Sequence, residues 1–289
     1  MAADLSNMPA LVSIARARVA IVCAAALVCA TAPRATSARQ DTSILLDRAA
    51  AYVETFVERF SNVVAEERYT QERVFPGPKT RTLVSDYFLI NLPGSKDWLE
   101  LRDVVEIDGK PVGDHENRLL ALVTSGTPAT WTARARAVAR ESARYNIEDI
   151  GTINRPIIAM ALLQVPYRER LVFTLGPIDK KIGSDARLIR YQETKPPSMF
   201  SVGFVTALAW VSESTGVVLK TELQFGNNTS VTNHVVTTFA PDATLGVSVP
   251  VTMEDAYAFD GAGGFTEIRG RATYGRFRKF GVKTEEKIQ

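Results

Sequence analysis

Residues 217–225 read VVLKTELQF, and this stretch decides the fold because its side chains alternate in character. A period of two places successive side chains on opposite faces of a β-strand. The apolar set, which shares its face with Thr221, is Val217, Leu219, Leu223 and Phe225. The polar set is Lys220, Glu222 and Gln224. The pattern predicts a strand of an antiparallel sheet with one dry and one wet face.

Similar segments, rich in β-branched and aromatic residues, recur on both sides of this stretch. They cover residues 83–92, 98–107, 170–175, 187–193, 207–211, 234–239, 247–259 and 266–280. Short turns such as Asp108-Gly109 separate several of them, which favours an antiparallel meander over βαβ units. We expect roughly nine to eleven strands.

A long amphipathic helix is predicted ahead of the first of these strands. Asp41 or Thr42 can serve as its N-cap, and Glu66-Glu67 is expected to end it. Apolar side chains recur between these points with helical spacing. They are Leu45, Ala49, Tyr52, Val53, Phe56, Phe60, Val63 and Val64.

Residues 115–165 break the strand pattern. Three segments within them, 116–123, 131–145 and 156–163, have helical character. We therefore expect one α+β domain over residues 43–289, in which an antiparallel sheet packs on a long N-terminal helix. Residues 115–165 form a helical insertion in that domain.

The N-terminus has the layout of a signal peptide. Arg16 and Arg18 precede an apolar run at 19–30, which is shorter than the roughly 20 residues that span a bilayer. Residues 30–32 supply a small-x-small cleavage site. We expect residues 1–32 to be removed and residues 33–42 to form a flexible lead-in. The mature protein would be a periplasmic or secreted monomer without a transmembrane segment.

The composition excludes several functional classes. Both cysteines, Cys23 and Cys29, lie in the expected signal peptide, so the mature chain has no thiol or disulfide. The net charge of +2 is too small for a nucleic-acid partner. The sequence has no G-x-S-x-G, S-x-x-K or H-E-x-x-H motif, and His115 and His234 lie outside any recognisable triad context. No catalytic residue, metal or cofactor is expected.

Two sets of charged residues offer alternatives. Asp103, Glu106 and Asp108 lie on one predicted hairpin and are the only basis for a carboxylate hydrolase. Arginines at steps of four along a predicted helix form a cationic edge, and a basic, aromatic-rich segment follows at 269–280. Either cationic surface is suited to an anionic partner or a membrane surface. The residues of the edge are Arg136, Arg140 and Arg144.

Residues 209–222, AWVSESTGVVLKTE, resemble a hairpin of the periplasmic LolA/LolB and RseB-like lipoprotein-carrier superfamily. The pattern there is Trp-hydrophobic-Asp-x-x-Thr-Gly. Trp210, Thr215 and Gly216 agree with it, as does Leu219 in the following strand, whereas Ser212 replaces the Asp.

A second segment and the chain as a whole add to this resemblance. Residues 272–277, ATYGRF, are similar to the late Tyr-x-x-Phe strand of the same superfamily. Nearly the whole mature chain also resembles uncharacterised exported proteins of soil bacteria such as acidobacteria.

The resemblance implies a strongly curved half-barrel with an apolar concavity. It also implies a non-catalytic protein that holds a lipid or a lipoprotein acyl chain. If residues 115–165 fill the concavity, the alternative is an envelope module that binds another protein or has a structural role. The side chains expected to line the concavity are Leu171, Phe173, Trp210, Leu219, Leu223, Phe225 and Tyr274.

Overall fold

The computed structural model describes the chain in segments. The described residues are 32–61, 63–91, 98–113, 133, 137, 140–141, 143–148, 155–198, 204–226, 231–261 and 264–279. The chain divides into two compact units, Met1–Asp41 and Thr42–Gln289. In the first unit the described residues are helical, and the second unit contains every described strand. The expected signal peptide, residues 1–32, lies almost entirely outside the described residues.

Two helices, for which both ends are described, and eleven strands have the following bounds. Helix α1 is Ala32–Phe60 and helix α2 is Ile158–Ala161, followed by a 3₁₀ turn at Val165–Tyr167. The first strands are β1 Val63–Phe75, β2 Lys79–Asn91, β3 Trp98–Ile107 and β4 Lys110–Pro111. After α2 come β5 Leu171–Ile178, β6 Ala186–Glu193, β7 Phe204–Ser212, β8 Val218–Gly226, β9 Val231–Asp242, β10 Val247–Gly261 and β11 Gly264–Lys279.

All eleven strands belong to one antiparallel sheet. Its order is β4-β3-β2-β1-β11-β10-β9-β8-β7-β6-β5, so strands consecutive in sequence are neighbours in the sheet except β4 and β5, which form its two edges. The first and last strands, β1 and β11, pair in the interior of the sheet. The expectation of a curved antiparallel sheet is therefore confirmed in its coarse form: the sheet is large, curved and unclosed, with few helices.

The predicted end of the first helix is wrong. The sequence pattern extended that helix through Val63 and Val64 to Glu66-Glu67. Helix α1 ends at Phe60, and Val63–Phe75 is a strand between β2 and β11. The buried positions of β1 do alternate, but Glu67 and Gln71 are among them. Because polar residues occupy buried positions, the period of two is invisible to a search for apolar alternation.

The start of α1 also differs from expectation. Residues 33–42, expected as a flexible lead-in, are its first turns. The segment PRATSARQDT contains alanine, arginine and glutamine, all good helix formers, and its only proline is at the second helical position, where proline is tolerated.

Helix α1 packs against one face of the sheet, here called the inner face. Its stripe of Leu45, Ala49, Val53, Phe56 and Phe60 is buried in the main apolar cluster. The ring of Phe60 lies 5.0 Å from that of Phe56 and 6.2 Å from that of Tyr87 on β2. Burial of these side chains supplies the main attraction between helix and sheet, at about 1.5–3 kcal/mol for each large one.

The long connection between β4 and β5 also covers the inner face. Of its predicted helices, 116–123 lies outside the described residues. Residues 133, 137, 140, 141 and 143 of the second are helical, and the third is reduced to α2. Two described pieces, 145–148 and 156–163, bury Ile147, Ile157 and Met160 against the sheet.

Candidate functional site

The expected concavity residues separate into two groups. Leu171, Leu223, Phe225 and Tyr274 are buried in the main cluster on the inner face, and Phe173 packs against them. Residues 156–163 lie over this part of the sheet, where the Tyr191 hydroxyl donates to the carbonyl of Ala159 at 2.6 Å. The inner face over β5–β8 is therefore covered by the protein's own chain.

Trp210 lies on the opposite face, and Leu219 lies beside it near the β7–β8 turn. They pack with Leu188 in a separate cluster, and the ammonium of Lys220 lies 4.5 Å from the Trp210 ring centroid. A bulge in β8, where Trp210 pairs with Lys220 and Val211 with Val218, changes the register at Leu219. The prediction that Leu219 shares a face with Leu223 is therefore wrong, because the extra residue breaks the period of two.

An open groove of about 750 Å³ lies between α1 and two neighbouring hairpin turns, those of β7–β8 and β9–β10. Helix α1 contributes Arg48, Ala51, Tyr52 and Thr55 to it. The rest of the lining is Thr215, Val217, Leu219, Pro241, Asp242, Ala243, Gly246, Val247 and Ser248. Most of these side chains are small or apolar, so the groove offers mainly hydrocarbon surface.

Tyr52 fixes the helix side of the groove. Its hydroxyl donates to the carbonyl of Ser248 at 3.2 Å and accepts from the amide of the same residue at 3.1 Å. Burial raises the pKa of Tyr52, and the two bonds to Ser248 oppose that rise. The neutral hydroxyl thus joins α1 to the first residues of β10.

Gly216 fixes the other wall. It has a φ of +77°, and a Cβ there would lie within 3.0 Å of the backbone carbonyl of Arg48. Only glycine lets the β7–β8 turn approach the helix this closely. The Arg48 guanidinium adds a hydrogen bond of 2.6 Å to the carbonyl of Glu213 in the same turn.

The β7–β8 turn has Ser212 where the hairpin pattern has Asp, and a carboxylate from outside the turn bonds to it. Asp185, just before β6, accepts from the hydroxyl of Ser212 at 2.8 Å and from the hydroxyl of Ser214 at 2.6 Å. The amide of Ser214 donates to it at 3.1 Å. These bonds, first of all those from Ser214, lower the pKa of Asp185. The replacement of Asp by Ser212 in the hairpin pattern is thus matched by a carboxylate from a neighbouring segment.

A second feature of the inner face is a row of buried polar side chains across the centre of the sheet. Glu67 accepts two hydrogen bonds from Arg102, one of them 2.6 Å long, and one from Tyr274 at 2.7 Å. The Arg102 guanidinium lies 5.4 Å from the Tyr69 ring centroid. The Tyr69 hydroxyl donates to Asp255, with both carboxylate oxygens at 3.0 Å.

Gln71 and Tyr87 extend this row at its two ends. The Gln71 amide donates to Tyr257 at 3.0 Å and accepts from the backbone amide of Ile147 at 2.9 Å. Tyr87 donates to Glu100 at 2.8 Å, and its ring packs edge-on against that of Tyr274. We refer to the whole set as the buried polar row. Its members are Glu67, Tyr69, Gln71, Tyr87, Glu100, Arg102, Asp255, Tyr257 and Tyr274.

The cationic edge is described only in part. Arg136 lies outside the described residues, and Arg140 is exposed on its helix. Arg144 forms an ion pair of 2.6 Å with Glu141 and a hydrogen bond of 2.7 Å with Tyr145. The charge of Arg144, one of the three arginines of the cationic edge, is therefore partly compensated within the chain.

The arginines of the basic segment in β11 form ion pairs with acids on β11, β10, β1 and β2. Its arginines pair in order with Glu267, Glu254, Glu66 and Asp86. The arginines are Arg269, Arg271, Arg276 and Arg278. This outer surface is thus an array of mixed charge rather than a cationic patch.

The remaining charged candidates are the carboxylates near the end of β3 and the two histidines. Asp103 is buried, and Asp108 accepts from the backbone amide of Thr82 at 2.7 Å in the turn after β3. His115 lies outside the described residues, while the imidazole of His234 lies 3.7 Å from Glu222 on the exposed side of β9. Among the described residues, no group of three His, Cys, Asp or Glu side chains is arranged to hold a metal.

Sequence reasoning missed the buried polar row and most of the groove. The row contains residues from five strands, and only the inward position of Glu67 and Gln71 in β1 would have revealed it. The groove lies between one face of α1 and two turns that are distant in sequence.

In the described part of the chain, no helix is both long and apolar enough to cross a bilayer.

Comparison with known proteins finds similarity only at the level of solved structures. No protein-family model and no curated protein sequence matches the chain. An outer-membrane lipoprotein-sorting protein domain from Vibrio parahaemolyticus is 14% identical, with a TM-score of 0.40 over 82% of this chain and 95% of that one. A DUF1329 family protein from Desulfovibrio piger is 10% identical, with a TM-score of 0.36 over 86% and 95%.

A LolA superfamily protein from Nitrosomonas europaea is 9% identical, with a TM-score of 0.31 over 83% of this chain and 94% of that one. These values describe a distant likeness. The neighbours include LolA-superfamily and lipoprotein-sorting folds, the group that the hairpin at 209–222 resembles.

Proposed function

We propose that this protein is an exported, non-catalytic binding protein whose groove between α1 and the β7–β8 and β9–β10 turns holds a single apolar chain, such as a lipid acyl chain. The observation that carries the proposal is the groove itself. Its volume of about 750 Å³ is within the range of roughly 300–1,000 Å³ typical of small-molecule sites.

The energetics of the groove suit such a ligand. Each methylene removed from water contributes about 0.8 kcal/mol, so about ten of them supply roughly 8 kcal/mol before the cost of immobilisation. A net free energy of that size would correspond to a dissociation constant of about 1 μM, and the cost of immobilisation makes the expected affinity weaker than this. Ala51, Val217, Pro241 and Val247 provide the hydrocarbon surface, and Tyr52 is already satisfied by Ser248.

The groove is a better candidate than the inner face over β5–β8. That face was the first expectation, with Leu171, Phe173, Leu223 and Phe225 as its lining. Residues 156–163 already bury those side chains, so a ligand there would first have to displace part of the core. The groove needs no such displacement because it is open.

The same covered face favours a second candidate, an envelope module that binds another protein through its surface. A protein whose core is filled by its own chain needs no apolar ligand for stability. The two candidates differ in what the groove binds, and filling the groove distinguishes them.

Ala51→Trp is expected to weaken binding of a fluorescent fatty acid, dansyl-undecanoic acid, at least tenfold. Ala51 is exposed on α1 and lines the groove, so an indole there occupies space that the chain would use. The measurement is a fluorescence titration of mature protein, with the thermal unfolding midpoint recorded to show that the variant folds.

Ile44→Trp is the matched control. Ile44 lies on the same helix, is 42% exposed and does not line the groove. It is expected to bind the probe as the wild type does. Equal affinity in all three proteins, or no binding by the wild type, would contradict the proposed function and favour the protein-binding module.

A further inference from the structure

The buried polar row contains more acid than base. Glu67, Glu100 and Asp255 are 0%, 6% and 5% exposed, and among the described residues Arg102 is the cation that forms an ion pair within the row. An ionised carboxylate is costly inside a protein unless a cation or several hydrogen bonds compensate it. One buried guanidinium cannot neutralise three buried carboxylates.

Glu67 makes the direct contact with that guanidinium. Arg102 donates two hydrogen bonds to it, and Tyr274 donates a third. Burial acts to lower the pKa of Arg102, but the Glu67 carboxylate outweighs it, and the net pKa is raised. Glu67 and Arg102 therefore form a neutral pair, and the balance of charge falls on the other two carboxyls.

The negative charges of ionised Asp255 and Glu100 would be less well compensated than that of Glu67. The hydroxyl of Tyr69 donates to Asp255, and Arg102 acts on it from beyond the Tyr69 ring. The hydroxyl of Tyr87 and the backbone amide of Ile157 donate to Glu100, and Arg155 attracts it from a more exposed position.

We propose that Asp255 and Glu100 bind protons in the folded protein and release them as the surroundings become alkaline, so that the central strands are held most tightly in acid. This inference is independent of the ligand groove. It identifies a pH-dependent element formed by β1, β2, β3, β10 and β11.

The pKa values of the two groups agree with the charge balance. The pKa of Asp255 is raised to about 7, mainly by burial and also by Glu67, while Tyr69 and Arg102 oppose the rise. Burial likewise raises the pKa of Glu100 to about 7 against the opposing effects of Arg155, Tyr87 and Arg102.

Besides Glu67 and the arginines, the titratable groups that face these carboxyls in the described part of the chain are tyrosines. Tyr257 and Tyr274 have raised pKa values because they are buried and because Asp255 and Glu67, respectively, are nearby. Burial, with Glu100, also raises the pKa of Tyr87. All three hydroxyls therefore stay neutral near pH 7, and the carboxyls are the groups that titrate.

The sign of the effect follows from linkage. Both carboxyls have a higher pKa in the folded chain than the ordinary values of about 4 for Asp and Glu in an unfolded chain. Their protonated forms stabilise the fold fully below about pH 4, and this stabilisation is lost as the pH rises towards about 7. Within that window each of the two carboxyls releases its proton when the protein unfolds. The unfolding equilibrium constant therefore rises about tenfold per pH unit for each carboxyl.

Release of these protons affects the contacts between the sheet and the β4–β5 connection. The Tyr69 side chain lies between Asp255 and Gln71, and Gln71 receives the amide of Ile147 from the β4–β5 connection. Glu100 receives the amide of Ile157 from the same connection. Charging the two carboxyls therefore acts on the contacts that hold this connection to the sheet.

The test is Asp255→Asn, which keeps the shape of the side chain and removes its titration. Urea unfolding of wild type and variant is measured from pH 5 to 8. The wild type is expected to become less stable as the pH rises, and the variant to lose less. At pH 8 the unfolding equilibrium constant of the variant is expected to be at least tenfold lower than that of the wild type.

Glu254→Gln is the matched control, because Glu254 is the neighbouring residue on β10 but is exposed and paired with Arg271. Its pH profile is expected to parallel the wild type. Parallel profiles for all three proteins would overturn the proposal. If Asp255→Asn fails to fold, carbon-13 NMR titration of the wild-type Asp255 carboxyl decides: a midpoint near 7 supports the proposal and one below 5 overturns it.

Discussion

Replacing Gly270 with alanine is expected to lower the free energy of unfolding by about 3 kcal/mol, the upper end of the usual cost of overpacking. Gly270 lies on β11 between Gln71 of β1 and Asp255 of β10. A Cβ there would lie within 3.0 Å of the Asp255 carboxylate and of the Tyr69 ring and hydroxyl. The added methyl group would separate Tyr69 from Asp255 and expel both from their positions.

The matched control for this change is Gly275→Ala. Gly275 is on the same strand, and a Cβ there would meet nothing within 4 Å. It is expected to change stability by less than about 0.5 kcal/mol, as is usual at positions without packing constraints. Chemical unfolding of both variants checks the prediction. Equal costs would show that Tyr69 does not lie against Gly270.

Replacing Arg102 with methionine is expected to cost about 3–5 kcal/mol of stability, because it leaves Glu67 buried without its cation. The Glu67 side chain is fully buried, and that of Arg102 is 13% exposed. Methionine fills much of the volume of the arginine stem, so the loss reports mainly the removed charge. The measurement is urea unfolding at pH 7.

Two further variants separate a buried pair from an exposed one. Arg271→Met breaks the pair with Glu254, whose side chains are 73% and 56% exposed, and is expected to cost about 0–1 kcal/mol. Adding Glu67→Leu to Arg102→Met is expected to recover part of the loss, since both charges are then gone. If Arg102→Met cost no more than Arg271→Met, the buried pair would contribute nothing special to the fold.

The strands that could be predicted are those whose inward residues are apolar. In β8, residues such as Leu223 and Phe225 are buried and Gln224 is exposed, so alternation in the sequence matches the structure. Strand β1 could not be found this way, because its inward residues include Glu67 and Gln71. Those residues are tolerable only because Arg102, Tyr274, Tyr257 and the amide of Ile147 come from other segments.

The bulge at Leu219 shows a second limit of local patterns. Strand β8 has one extra residue between two consecutive pairs of the β7–β8 ladder. As a result, Leu219 packs with Trp210 and Leu188. Val217, Val218 and Leu219 are three apolar residues in succession, so hydrophobicity alone does not show which of them face inward. Asp185, which supplies the carboxylate to the β7–β8 turn, is equally invisible, because it lies some thirty residues earlier in the chain.

The groove could be anticipated only in its separate parts. The stripe of α1 predicted a buried face but not that Ala51 and Thr55, beside that stripe, face a gap between two turns. The glycine of the hairpin pattern was recognised, whereas its role in admitting the backbone of Arg48 depends on the packed structure. Sites formed between elements distant in sequence require the tertiary fold before they can be seen.

The most direct test of the ligand groove is native mass spectrometry of mature protein secreted into a periplasm and purified without detergent. The wild type and Ile44→Trp are expected to carry a stoichiometric adduct of several hundred daltons that organic extraction removes and identifies as a lipid. Ala51→Trp is expected to appear at its apo mass. An adduct retained equally by Ala51→Trp, or a wild type that is apo and takes up no added fatty acid, would contradict the account.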